Sequence, residues 1–138
     1  MTKILTLFFF ILFLTSCDPG FGIVLTNESN RIRQVKVVKA KKNKLRYTDS
    51  IAIFYNSGQY FYGDSLLKKT LIIKDTSENL YSFHLDKGNK ALLEADVGFP
   101  NMSQKIIVDN IDTIFLKTDK RVKIKKKGFS TEVTVTIR

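Results

Sequence analysis

The sequence predicts an all-β protein built as an antiparallel sandwich or barrel, and three observations predict it. Short apolar runs recur at roughly 8- to 12-residue spacing. The stretches between them carry turn formers: Asn56-Ser57-Gly58, Thr76-Ser77-Glu78-Asn79, Asp86-Lys87-Gly88-Asn89, Phe99-Pro100-Asn101 and Lys127-Gly128. No stretch of about a dozen residues keeps a helical period.

Taken in chain order, residues 1–16 read as an export segment outside the fold. Lys3 supplies a charge, residues 4–14 are apolar except for Thr6, and small residues follow. A helix over that run is roughly 16 Å long, about half of what a hydrocarbon core of about 30 Å requires, so a permanent span is not expected. Residues 17–22 follow as a short tether, in which Pro19, Gly20 and Gly22 are expected to forbid regular structure. Residues 23–138 then make one β-domain, because removing residues 1–16 from 138 leaves 122, enough for one core and too few for two.

Within that domain, Ile23 to Leu25 opens a strand that leads into the polar turn Asn27-Glu28-Ser29-Asn30, and Val35-Lys36-Val37 lies on the next. Further strands are predicted near residues 45–55, 66–74, 80–85, 91–98, 105–109, 112–117 and 121–126. The span 64–74 has the one competing pattern, a short helix carrying Leu66, Leu67, Leu71 and Ile72. The last strand alternates Val133, Val135 and Ile137 with Glu132, Thr134 and Thr136, the period of a half-buried strand. Roughly eight to ten strands without intervening helices favour a sandwich, and an immunoglobulin-like one is the first choice. The Trp and disulfide of antibody domains are absent, since the chain has no Trp and one Cys.

Composition restricts the chemistry. The single His84 alternates with Tyr81, Phe83 and Leu85, so it is expected on the solvent face, away from any nucleophile. One His and one Cys do not make a zinc site. Glu94 and Asp96 share one side of a strand at roughly 6 to 7 Å, a spacing an acid–base pair can use. The stronger reading takes them as the exposed face, with Leu93, Ala95, Val97 and Phe99 buried. Asp109 and Asp112 flank a turn and could contribute to a Ca²⁺ site, but no series of acids accompanies them. No glycine-rich phosphate loop follows a strand. No catalysis, metal or cofactor is expected.

Three features remain as candidate sites. Phe54, Tyr55, Tyr60, Phe61 and Tyr62 surround a loop, either as a binding edge or as rings folded onto the core. The net charge is +10, and 15 of the 23 basic residues fall in segments 31–46 and 117–127. In the second segment Val122 and Ile124 are expected to point inward. Arg121, Lys123 and Lys125 then form a basic stripe, with Lys126 and Lys127 after it, suited to an anionic partner or to a solvated edge kept from aggregating. Lys outnumbers Arg 18 to 5, which argues against phosphate-specific recognition, and nucleic acid is not expected.

Finally, Leu14-Thr15-Ser16-Cys17 resembles the lipobox of bacterial lipoproteins, in which an aliphatic and two small residues precede an obligatory cysteine. The resemblance implies that Cys17 accepts a diacylglyceryl group and becomes the first residue of the mature protein, anchored in the cell envelope on its periplasmic or surface face. The Cys-led tether running into Thr26-Asn27-Glu28-Ser29 is similar to small lipoproteins of the Bacteroidota. In that group Asp-Ser/Thr-aliphatic tripeptides accept O-glycans, which would place glycans on Ser50, Ser65 and Thr113; turn chemistry wants the same residues. The function expected is a non-enzymatic binding or scaffolding module. The alternative is an inhibitor or accessory partner of an envelope or secreted enzyme acting through residues 55–63, and a hydrolase using Glu94 and Asp96 ranks third.

Overall fold

The computed structural model describes residues 19–39, 50–55, 66–71, 73–75 and 79–138. Among them there is no helix, and eleven strands form two sheets: β1 (Gly20–Asn27), β2 (Arg33–Val38), β3 (Ser50–Tyr55), β4 (Leu66–Leu71), β5 (Ile73–Asp75), β6 (Leu80–Leu85), β7 (Asn89–Val97), β8 (Lys105–Val108), β9 (Asp112–Phe115), β10 (Val122–Lys127) and β11 (Ser130–Ile137). The first sheet runs β10-β11-β1-β7-β3-β4, the second β5-β6-β2-β8-β9. All pairs are antiparallel except β1 with β11, which run side by side in the same direction from Gly20 opposite Ser130 to Asn27 opposite Ile137. Parallel partners cannot be joined by a tight hairpin, and here almost the whole domain is the connection between them. The predicted sandwich is therefore observed, and its six and five strands differ from the four and three of an immunoglobulin constant domain.

Alternation fills the space between the sheets. Val35 and Val37 on β2, Tyr81, Phe83 and Leu85 on β6, Ile106 and Val108 on β8, and Val133, Val135 and Ile137 on β11 are all buried, and they join Ile23, Leu25, Ile53, Ala91 and Leu93 in one core cluster. Each large aliphatic chain so enclosed contributes about 1.5–3 kcal/mol, against the entropy of ordering it. Tyr81 stacks on Phe83 with ring centroids 6.2 Å apart. Its hydroxyl donates across the sandwich to the carbonyl of Leu93 at 3.3 Å, and burial pushes the phenol pKa well up.

Three expectations are corrected by the paired backbone. The strand begins at Gly20, so residues 20–22 are not tether: Gly20 lies between Ser130 and Val97, and two partners hold it extended despite its freedom. The single strand expected over 66–74 is two, β4 in the first sheet and β5 in the second, because the chain changes layers there. On β7 the burial pattern reverses. A register shift opposite Ile23/Val24 pairs Glu94 and then Leu92 with consecutive β1 residues, leaving Leu93 as an extra residue that carries the following side chains to the other face. Ala95 is thus exposed, Val97 is 61% and Phe99 81% exposed, and Glu94 turns inward.

The two layers are tied at one end by Asn27, the last residue of β1 and fully buried. Its Nδ2 donates to the carbonyls of Leu85 and Arg31, each at 2.9 Å, and its Oδ1 accepts from the Ser29 amide at 3.1 Å and hydroxyl at 2.6 Å. The Gly88 amide donates to its carbonyl at 2.8 Å. Asn27 is the hinge of the polar turn rather than an exposed member of it. Asn27→Ala would leave the buried Leu85 carbonyl without its donor and remove the amide that shapes the turn, so we expect urea unfolding to show a loss of about 2–4 kcal/mol, while Asn30→Ala on the exposed side of the turn stays within about 0.5 kcal/mol of wild type.

Candidate functional site

The basic stripe of the sequence is the β10–β11 hairpin, and β10 is the outermost strand of the first sheet. Val122 pairs with Val135 and Lys127 with Ser130, so a two-residue turn, Gly128-Phe129, joins them. Gly128 has φ +57° and Phe129 a negative φ, the signs of the turn that matches strand twist and needs Gly first. Lys123, Lys125, Lys126 and Lys127 are all exposed, and β10 itself carries no acid. Lys125 faces Glu132 across the ladder.

Two details differ from the sequence reading. Val122 does pack on the core, but Ile124 is 55% exposed, because no described part of the smaller second sheet covers the middle of an edge strand. Arg121 leaves the stripe altogether. Its guanidinium donates to both carboxylate oxygens of Asp119, at 3.0 and 2.7 Å, and pairs bidentately with Asp112. Arg121 holds the Asp119 carboxyl below its ordinary pKa, and these acids raise the Arg121 pKa further. Arg121 therefore pins the β9–β10 connection and presents little free charge to a ligand.

The described part of the other basic segment does not extend the stripe. It sits on β2, at the middle of the second sheet, with Arg33 and Lys39 paired to acids and Lys36 facing away from the core. Residues 40–46 lie outside the described residues. Arg33 donates to Asp109 at 2.8 Å, and Asp109 in turn accepts from the Gln34 amide at 2.9 Å, which locks the β8–β9 turn onto β2. Both Asp109 and Asn110 hold positive φ, +52° and +60°, which Asp and Asn tolerate better than other side chains. Asp109 and Asp112 are thus each turned to an arginine rather than to a shared cation, and no metal-ligating group of three is found among the described residues.

The remaining candidates separate. Glu94 is not on an exposed acid pair: it accepts from Lys39 Nζ at 3.2 Å and from the Gln104 amide, both side chains half-buried or buried, whereas Asp96 is exposed and caps the Val97 amide at 2.8 Å. The Oε1 of Gln104 finds no partner among the described residues. His84 is exposed while its neighbours Phe83 and Leu85 are buried, in the alternation expected. Thr113 is half-buried on β9, Ser50 begins β3, and Ser65 lies outside the described residues, as do Cys17 and residues 56–65 of the aromatic loop. Phe54, half-buried, lines a groove of about 580 Å³ on the outer face of the first sheet. Gly20, Gly22 and Ala95 form its floor, and Lys127 and Glu132 stand at its far side.

The sequence reading missed this groove because it assigned two of its glycines to a tether. It also missed the exposure of Phe129, which was legible: a ring in a two-residue hairpin turn has no core to enter. Neither the family models nor the curated proteins searched contain a match to this chain.

The Asp109 network gives a pH test. Hydrogen bonds from Arg33 and the Gln34 amide lower the folded pKa of Asp109 below its unfolded value near 3.9. Its contribution is therefore complete above that value and lost as pH falls through the lowered folded one. Comparing urea unfolding of wild type and Asp109→Asn from about pH 6 to about pH 2 should show wild type more stable at the upper end and the gap closing below about pH 4.

Proposed function

We propose that this chain is an envelope lipoprotein, lipidated at Cys17 and exported by residues 1–16, whose sandwich is a non-enzymatic binding or scaffolding module. The exposed edge strand β10 is its contact for an anionic envelope component: lipid headgroups, lipopolysaccharide, a capsule polymer or an acidic protein. One observation carries this reading. Four lysines of β10 are exposed on a strand without an acid, and its last residue, Lys127, lies in the same row of the sheet as Ser130 and Gly20, only three residues beyond Cys17. A basic strand so close to a lipid anchor is held where anionic headgroups concentrate, and each Lys near such a surface adds about 1 kcal/mol of attraction. On the tripeptide pattern, O-glycans on Ser50, Ser65 and Thr113 belong to the same proposal.

Two experiments test the two halves. For the anchor, cells expressing the full chain are fed labelled palmitate; wild type should carry the label and Cys17→Ser should not. Equal labelling of both would refute the lipid site. For the edge strand, the detergent-solubilised full chain is bound to a polysulfated resin and eluted with salt. Lys123, Lys125, Lys126 and Lys127 all changed to Gln should elute at clearly lower salt with an unchanged circular dichroism spectrum, because screening confines such attraction to about 8 Å at physiological ionic strength. Coincident elution would reduce the strip to a solvated edge.

A further inference from the structure

Two rings stand out at the end of the sandwich where the described chain begins. Phe99 is 81% and Phe129 72% exposed, the two most exposed aromatic residues among those described, with Val97 beside them at 61%. The strand register places them together. Val97, Gly20 and Ser130 are neighbours on three adjacent strands, so the backbones of Val97 and Ser130 are about 10 Å apart across β1. Phe129 precedes Ser130 in the hairpin turn, and Phe99 follows Val97 by two residues, where the Gly98 amide donates to the Pro19 carbonyl at 2.6 Å. Lys125, Lys126 and Lys127 flank the Phe129 side.

Resting on the lipid-anchor reading above, we infer that this end is a membrane-seating face: Phe99 and Phe129 enter the boundary between headgroups and acyl chains, with the lysines of β10 beside them on anionic headgroups. Chain length enforces the proximity. Two residue steps separate Pro19 from Cys17, so chain connectivity alone limits the Cα of a lipid-bearing Cys17 to within about 7 Å of the Cα of Pro19, whose carbonyl holds Gly98. Rings and cations arranged this way are how a protein surface lies in the interface plane, and a single lipid chain gives only reversible binding until a second signal is added. The opposite end also exposes an apolar side chain, Ile111 at 87%, but it lies in the β8–β9 turn that bonds to Gln34 near the start of β2, at the Asn27 end of the sandwich and so a strand length away from Gly20. Asp96, on the strand that leads to Phe99, spends one oxygen on the Val97 amide.

The absence of Trp from the chain makes the test direct. Phe129→Trp, Phe99→Trp and Ile111→Trp each give one fluorophore at an exposed position that the core does not use. The full chain, processed in cells and purified from their membranes, is reconstituted into vesicles of phosphatidylcholine and phosphatidylglycerol in equal parts, with and without bromine on the acyl chains. The Phe129→Trp and Phe99→Trp proteins should emit to the blue of the Ile111→Trp protein and lose at least half their intensity to brominated lipid, while the Ile111→Trp protein loses almost none. Protein that floats with the vesicles but shows no quenching at either ring position overturns the seating face and leaves the anchor standing. Equal quenching at all three positions also overturns it, since the domain would then have no preferred end. Protein that does not float removes the anchor and the face together.

Discussion

The sandwich depends on a buried, fully satisfied amide where its two layers meet at one end. Asn27 belongs to the first sheet by its backbone and to the second by its side chain, which holds the Leu85 carbonyl, and the same side chain shapes the turn through Ser29 and Arg31. A buried amide is costly unless all its partners are present, and when they are it fixes one arrangement among many of similar apolar burial. Aliphatic residues would fill the same space without specifying how far one sheet slides over the other. The Glu94 pair with Lys39 and the Tyr81 hydroxyl on Leu93 place two more polar ties between the layers toward the other end. A chain with no second cysteine to cross-link the sheets has these three contacts in place of a disulfide.

What could be read in advance followed from local period. β6 and β11 alternate cleanly, and their inward residues are the ones predicted. β7 shows the limit. Its residues 93–97 also alternate, yet one inserted residue opposite Ile23/Val24 reverses the faces, and their alternation does not announce a bulge that depends on the partner strand. Ile124 fails for a different reason: alternation assigns it a side of the sheet, whereas coverage depends on the position of β10 at the sheet edge and on the smaller size of the opposite layer. The candidate site was legible as a run of lysines. That Arg121 belongs to two aspartates, and that the two basic segments divide between layers, are facts of topology.

The edge strand combines two tasks. An outermost strand offers unpaired backbone to any other strand, and rows of lysine are a common way to keep such an edge from pairing. In β10 the deterrent and the proposed binding surface are the same residues. The exposed Ile124 lies among them as the one apolar exception between Lys123 and Lys125. Neutralising such a strip thus alters solubility as well as attraction, which is why a spectrum of the folded state has to accompany any measurement of binding.

The parallel pairing of β1 with β11 has a consequence for when this architecture can exist. Gly20 and Ser130 are adjacent in space and 110 positions apart in sequence, so the central strand of the larger sheet is missing one whole side until residues 130–137 have arrived. Closing so long a loop is unfavourable until the contacts it permits are made, so folding is governed by a late, non-local event rather than by growth from one end. Synthesis can thus run ahead of folding: the chain stays open through most of its making, and the completed sheet appears in one cooperative step after the last strand has been added.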